Sequence, residues 1–399
     1  MKNKFGIILF ILSFFTIDAT VNYVKKKDVL EENITVKEEL KEMRAVYISY
    51  LEYFDNFYGG SVIINQSKID KMLDNLKEDG FNTILLHVSP FSDSIYESKI
   101  FPYSYTLTGM EGKNPGFDYL EYFIKHAHAK NMYVHAWINP YRVSFDKNVD
   151  KLSKDNPAYK LLNTSSVGIS DNGIYYNPAS EIVKNLILRQ IEEIMDKYDV
   201  DGIHFDDYFY MQYDIDKVEY ESYINNGGVL SLKDFRLSNT NDLIKRVYKI
   251  IKEKNSNVLF SIAPDGNINN NYLYHYADIK TWLENDEYLD IIMPQIYYGF
   301  NNEYAPFDKC LEAWERLVSN QNIKIVPVLA FYKIGEFDDD AGSGRSEWIN
   351  RDNIITREVE LIRENNLYGY ALFRYDYMYN SVKFNEKRVN EMTNLKKIN

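Results

Sequence analysis

From Met43 onward, short apolar runs rich in β-branched residues alternate with longer stretches whose apolar residues recur every three or four positions. The short runs are 44–49, 82–88, 132–138, 200–206, 258–263, 289–295, 323–331 and 368–373. Most are near-continuous, as strands buried on both faces must be. The longer stretches are amphipathic: "SKIDKMLDNLKEDG" has a serine start and a glycine stop, and "FDYLEYFIKHAHAKN" follows "NPG". "SEIVKNLILRQIEEIMDKYD" has apolar residues at 182, 183, 186, 187, 191 and 194, and "TNDLIKRVYKIIKEKN" and "RDNIITREVELIRENN" follow the same form. Eight strands alternating with helices predict an α/β fold, a (β/α)8 TIM barrel with extended βα loops. A doubly wound open sheet lacks support, because neither G-x-G-x-x-G nor a phosphate-binding G-x-x-x-x-G-K-[ST] occurs. The long connections 91–115, 144–178 and 208–239 all follow strand ends, where a barrel builds its active-site loops.

Polar and aromatic residues gather at those same strand ends. Tyr50, Glu52 and Tyr53 follow the first strand, His87 and Ser89 close the second, and "HAWINPYR" supplies His135, Trp137, Asn139 and Arg142. Asp265 and Asn267 follow the fifth strand, Gln295, Tyr297 and Tyr298 the sixth, Tyr332 and Lys333 the seventh, Arg374 and Asp376 the eighth. One such group means little, but the pattern at every strand end predicts a lined cleft.

The fourth strand ends in "DGIHFDDYFY", residues 201–210. Side chains alternate along a strand, so if His204 faces the barrel interior, Asp206 does too. Asp201 lies at the far end, where it is expected to hold a turn or cap backbone groups. Sugar hydrolysis uses two carboxylates, one protonated to release the leaving oxygen and one ionised to attack or to activate water. Asp206 and Asp207 are neighbours whose side chains diverge, so one of them must work with a carboxylate from another strand: Asp265, Glu52 or Asp376. The bland alternative is a structural Asp206 bonded to Arg142 or Arg374. A metal centre is the other sharp alternative, but H-E-x-x-H is absent and the first strand lacks the H-x-H of amidohydrolases. The expectation is no metal and no cofactor.

Composition narrows the partners. Net charge is 46 − 59 = −13, which disfavours nucleic acid and anionic membrane surfaces. The 35 Tyr and 22 Phe permit aromatic platforms of the kind sugar binders carry, although ordinary cores also consume such residues. The single cysteine, Cys310, excludes an internal disulfide framework. Lys2 and Lys4 precede an apolar run at 5–17, too short for the ~20 residues that span a bilayer and suited to a signal-peptide core. Residues 1–20 therefore read as a signal peptide or N-terminal anchor, 21–42 as a polar linker and 43–395 as the barrel. Export to the cell surface or beyond follows, with membrane attachment only through an uncleaved N-terminal segment. A monomer is expected.

"HAWINPYR" and "DVDGIHFDDYFY", with "MRAVYIS", "MPQIYY" and "VPVLAFYKIG", resemble the glycosyl-hydrolase-like family ten, bacterial barrel proteins that are often exported. The resemblance runs from about Met43 to Phe373. It implies a (β/α)8 glycosidase, and one divisome-localised member cuts peptidoglycan glycan strands stripped of their stem peptides. Carried over by position, it puts Asp206 and Asp207 in the acid slot, Asn139 and Arg142 on the neighbouring loop, and Gln295 with Tyr297 across the cleft. The chain departs from the family's V-R-P at Val88-Ser89-Pro90 and from its S-P-F-G at Ala263-Pro264-Asp265-Gly266. Chitinase-like barrels carry D-G-x-D-x-D-x-E, but Tyr208 stands where their acid would be, so that mechanism does not transfer. The expected catalytic residues are thus Asp206, Asp207 and Asp265. The expected sugar-binding residues are His87, Trp137, Asn139, Arg142, His204, Gln295, Tyr297 and Tyr298, with Trp137 and Tyr298 as stacking platforms. The substrate would be a bacterial polysaccharide; the competing class is a carbohydrate-binding barrel that grips a glycan without cutting it.

Overall fold

In a computed structural model that describes residues 40–206, 209–211, 214–383 and 385–399, the eight apolar runs become parallel strands. The first three are β1 (Met43–Ile48), β2 (Thr83–Ser89) and β3 (Tyr133–Ile138). An excursion after β3 builds a small antiparallel sheet from β4 (Arg142–Ser144), β5 (Val167–Ser170) and β6 (Gly173–Tyr176). The parallel order resumes with β7 (Gly202–Asp206), β8 (Leu259–Ala263) and β9 (Ile291–Ile292). The seventh run forms two short pieces, β10 (Lys324–Ile325) and β11 (Val328–Leu329), before β12 (Gly369–Leu372).

The large sheet runs β10-β9-β8-β7-β3-β2-β1-β12-β11. Its two ends are halves of one segment, and that closes the ring: the Lys324 N–H donates to Asp290 O at 2.9 Å on one side, and the Ala371 N–H donates to Pro327 O at 2.9 Å on the other. Pro327 has no N–H to give, so the strand breaks into two pieces there. This is the (β/α)8 barrel that the alternation predicts.

Helices cover the ring. Glu181–Lys197 starts at the cap Ser180, whose side chain accepts from the Val183 N–H, and buries Val183, Leu186, Ile187, Ile191 and Ile194 along one face. Each such side chain contributes about 1.5–3 kcal/mol by leaving water. Leu232–Lys254, capped by Ser231, covers the next position. Val62–Glu78 starts at Ser61, six residues before the serine that the sequence suggests. Inside the ring, His135 lies over Gly202; a Cβ there would come within 2.5 Å of the imidazole, so only glycine fits.

Candidate active site

Asp201 opens the fourth barrel strand as a structural group. Its carboxylate accepts from the Val134 N–H at 2.7 Å and pairs with His128 Nε2 at 2.8 Å. Two-residue alternation then carries His204 and Asp206 inward, while Ile203 and Phe205 join the apolar layer beneath the helices. His204 stays below the cleft. Its Nε2 bonds the Tyr47 hydroxyl at 3.0 Å and its Nδ1 the Ser261 hydroxyl at 2.8 Å, and it is 0% exposed. With both nitrogens taken inside the barrel, it supports the floor rather than touching sugar. Burial, and then the His135 charge, hold it well below the usual histidine range.

Asp206 reaches the rim. It lines a cleft of about 340 Å³ with Tyr50, His87, Trp137, Asn139, Arg142, Gln295, Tyr297, Tyr332, Phe373, Arg374 and Tyr377. The Trp137 indole N–H is shared between Asp206 Oδ2 at 3.2 Å and Asn139 Oδ1 at 3.1 Å. His87 stacks on that indole, with centroids 3.5 Å apart and planes 11° apart. Burial first, then the Arg142 charge, keep His87 well below the usual range, so it faces the cleft as a neutral imidazole. Arg142 is buried, with its guanidinium 4.2 Å from the centre of the Phe145 ring.

The other carboxylates sort by environment. Glu52 is fully buried and saturated: Oε2 accepts from the Ser49 N–H at 2.7 Å, and Oε1 from the Asp376 N–H at 3.2 Å and from Arg374. Asp376 in turn bonds Lys383 at 3.0 Å. Both are framework beneath the rim and are corrected from candidate acids to structural ones. Arg374 is committed to Glu52, not to Asp206. Asp265 lines a second cleft, of about 240 Å³, together with Tyr298, Asn302, Lys333, Asp338 and Asp340. It accepts from the Asn267 N–H at 2.7 Å and from Asn270 Nδ2 at 2.9 Å. Gln295 and Tyr297 line both clefts, and Gln295 Nε2 is anchored on Ala263 O at 2.9 Å. Asp207 lies outside the described residues, as do residues 1–39, on which the expected signal peptide or anchor falls. Asp206 is the one carboxylate among the described residues that lines the first cleft.

Comparisons with known proteins identify the family. The description "Glycosyl hydrolase-like 10" matches residues 42–342. The chain belongs to the glycosyl hydrolase-like 10 family. It is a glycoside hydrolase by that membership. It is 32% identical over 347 residues to glycosyl hydrolase YngK of Bacillus subtilis (strain 168), covering 81% of this chain and 67% of the relative. It is 30% identical over 380 residues to glycosyl hydrolase DigH of Escherichia coli (strain K12), covering 86% and 85%. Its fold is similar to the glycoside hydrolase domain of PgaB (BpsB) from Bordetella bronchiseptica, with a TM-score of 0.59 and 12% identity, covering 85% of this chain and 96% of that one.

Several cleft residues escape the sequence reading of sugar contacts: Tyr332, Phe373 and Tyr377 form an aromatic wall with Tyr297, with ring centroids about 6 Å apart (5.7–6.1 Å). The signal for Phe373 and Tyr377 was the aromatic run "FRYDYMY" after the eighth strand, and Tyr332 stands in "AFYKIG" after the seventh. Asp338 and Asp340, in the second cleft, were announced only by the acid triplet "DDD" after the seventh.

Proposed function

We propose that this glycosidase is exported and cleaves a bacterial polysaccharide, with peptidoglycan glycan strands lacking stem peptides as its substrate. The observation that carries the reading is Asp206: a buried carboxylate on a strand end, held by an indole N–H at 3.2 Å in a cleft walled by aromatic rings. Aromatic faces stack on pyranose rings, and the surrounding amide, imidazole and guanidinium groups suit hydroxyl, acetamido and carboxylate groups. Asp206 serves one half of the carboxylate pair, and Asp207 or Asp265 the other. The acid member passes its proton to the glycosidic oxygen as the bond to the anomeric carbon breaks. Water adds to that carbon, and its proton passes to the basic member. Export rests on Lys2, Lys4 and the apolar run that follows them.

The test is digestion of intact and of peptide-stripped peptidoglycan by the purified chain, with fragments followed by mass. Stripped strands should be cut, and Asp206→Asn should lower the rate at least ~100-fold. Wild-type cleavage that survives in the variant removes Asp206 from the mechanism. Binding without release from any glycan supports the carbohydrate-binding alternative.

A further inference from the structure

Aromatic rings continue the Asp206 cleft beyond its own lining. Tyr50, on the helix Tyr50–Asn56 after β1, lines the cleft and meets the His87 ring at an angle of 64°, with centroids 5.7 Å apart. Its ring also meets Phe91, in the connection after β2, at 4.7 Å. Phe91 in turn meets Phe145, just past β4, at 5.0 Å, and Tyr105, which opens the helix Tyr105–Thr108, at 5.8 Å. The connections that follow β1, β2 and β3 at the catalytic end thus supply one continuous set of rings.

Burial changes along this set. Phe91 is buried and forms the hub that the other three rings contact, while Phe145 is 46% exposed and Tyr105 38%. The Phe145 ring is backed by the Arg142 guanidinium, 4.2 Å from its centre. Rings braced in this way lose little side-chain entropy when a ligand covers them. Single exposed aromatics are ordinary on a protein surface, but rings joined through a buried hub and continuous with a ligand cleft mark a binding surface. None of the rings is charged at neutral pH, so they suit an apolar face rather than an acidic group. The C–H face of a pyranose is such a face, and the steps between centroids are on the scale of one sugar unit.

We infer that Phe145 and Tyr105, braced on Phe91, form sugar subsites that carry a glycan out of the Asp206 cleft past Tyr50, so that long strands bind better than short oligosaccharides. This rests on the glycan substrate proposed above and adds to it the direction in which the strand leaves, over the connections after β1, β2 and β3. The occupant is the substrate itself, because the track begins at a residue that lines the cleft.

The probes are a disaccharide and an octasaccharide prepared from stripped peptidoglycan strands. Binding is measured by calorimetry in an Asp206→Asn background, which keeps the octasaccharide whole, and cutting is followed by mass with Asp206 intact. The octasaccharide should bind more tightly than the disaccharide. Phe145→Ala and Tyr105→Ala should each lower that preference about fivefold, the size of one lost ring contact, and Phe145→Tyr, which keeps a ring, should retain it. Because Tyr105 does not line the cleft, its effect separates the track from damage around Asp206. An unchanged preference in either alanine variant overturns the track, and so does an octasaccharide that is cut but binds no better than the disaccharide. If Phe145→Ala abolishes self-association while the preference holds, the rings belong to a second copy of the chain and the track fails. If the preference falls in the variants but no strand is cut, the track stands and the glycosidase reading fails. If neither oligosaccharide binds and no strand is cut, both fail.

Discussion

Trp137 does more at the scale of single residues than a stacking platform would. Its indole N–H is divided between Asp206 and Asn139, and its face is covered by the His87 ring. Trp137→Phe keeps a flat ring beneath His87 and deletes the donor. A hydrogen bond to a charged group is worth about 1.5–3 kcal/mol, so kcat/KM should fall ~10–100-fold. The melting temperature should move little, because the ring still fills its place. Initial rates on stripped strands with a parallel thermal melt check this, and a loss of stability as large as the loss of rate would make Trp137 merely structural. The inward direction of Asp206 was legible in the sequence, since His204 and Asp206 stand two apart on one strand. The division of labour between them was not. His204 is held by Tyr47 and Ser261, 157 and 57 residues away, and nothing local marks those partners. Glu52 misled for a related reason: a serine three residues before a glutamate is a capping box, and Ser49 with Glu52 forms one.

The helix Tyr50–Asn56 is tied to the far end of the barrel sequence. Glu52 on that helix and Asp376 after β12 flank Arg374, and none of the three is more than 5% exposed. Arg374→Met leaves the fully buried Glu52 without its cation, while Asp376 keeps Lys383, a change that costs about 3–5 kcal/mol. The urea midpoint should fall accordingly. Adding Glu52→Gln should cost less than its own single effect predicts, since the pair acts as a unit. Additive losses would show that the ion pair does not couple these elements. Strand positions were readable here because parallel strands buried on both faces write long apolar runs. The excursion β4–β6 was not read, because strands of three or four residues carry too little periodicity. Its one signal is "SDNG": Gly173 follows the turn with φ +130°, and a Cβ there would come within 2.0 Å of Ser144 O. An Asn-Gly step between two short apolar stretches is a hairpin signal. Proline explains the other difference, for Pro327 splits the seventh strand.

Ring closure at the scale of the whole molecule buries titratable groups that the cleft does not use, and these set how stability follows pH. Asp93 is fully buried, and burial pushes its carboxyl up to about 7. Glu358 is also fully buried on the helix Ile354–Glu364, neither of its oxygens meets a hydrogen-bond partner among the described residues, and burial with the Glu391 and Glu347 charges holds it well above the usual range. In the unfolded chain both acids ionise near pH ~4. Above that pH the native form keeps protons that the unfolded form has released, so stability falls as pH rises through the folded values. His87 and His204 act in the opposite sense. Burial depresses both, so below pH ~6.5 the unfolded chain takes up protons that the native form refuses, and stability falls as pH drops. The two effects oppose one another between about pH 4 and 6.5, and above that window the acids act alone. Melting temperature should therefore decline as pH rises above neutrality. Glu358→Gln removes an ionisation while breaking no hydrogen bond that Glu358 makes. It should melt with the wild type at pH 4 and above it at pH 8. For Asp93→Asn, which keeps an oxygen to accept from the Phe91 N–H, the gain should develop between about pH 4 and 7 and then level off. Differential melts across that range decide it: a gain of constant size at every pH would trace to packing and not to the buried protons.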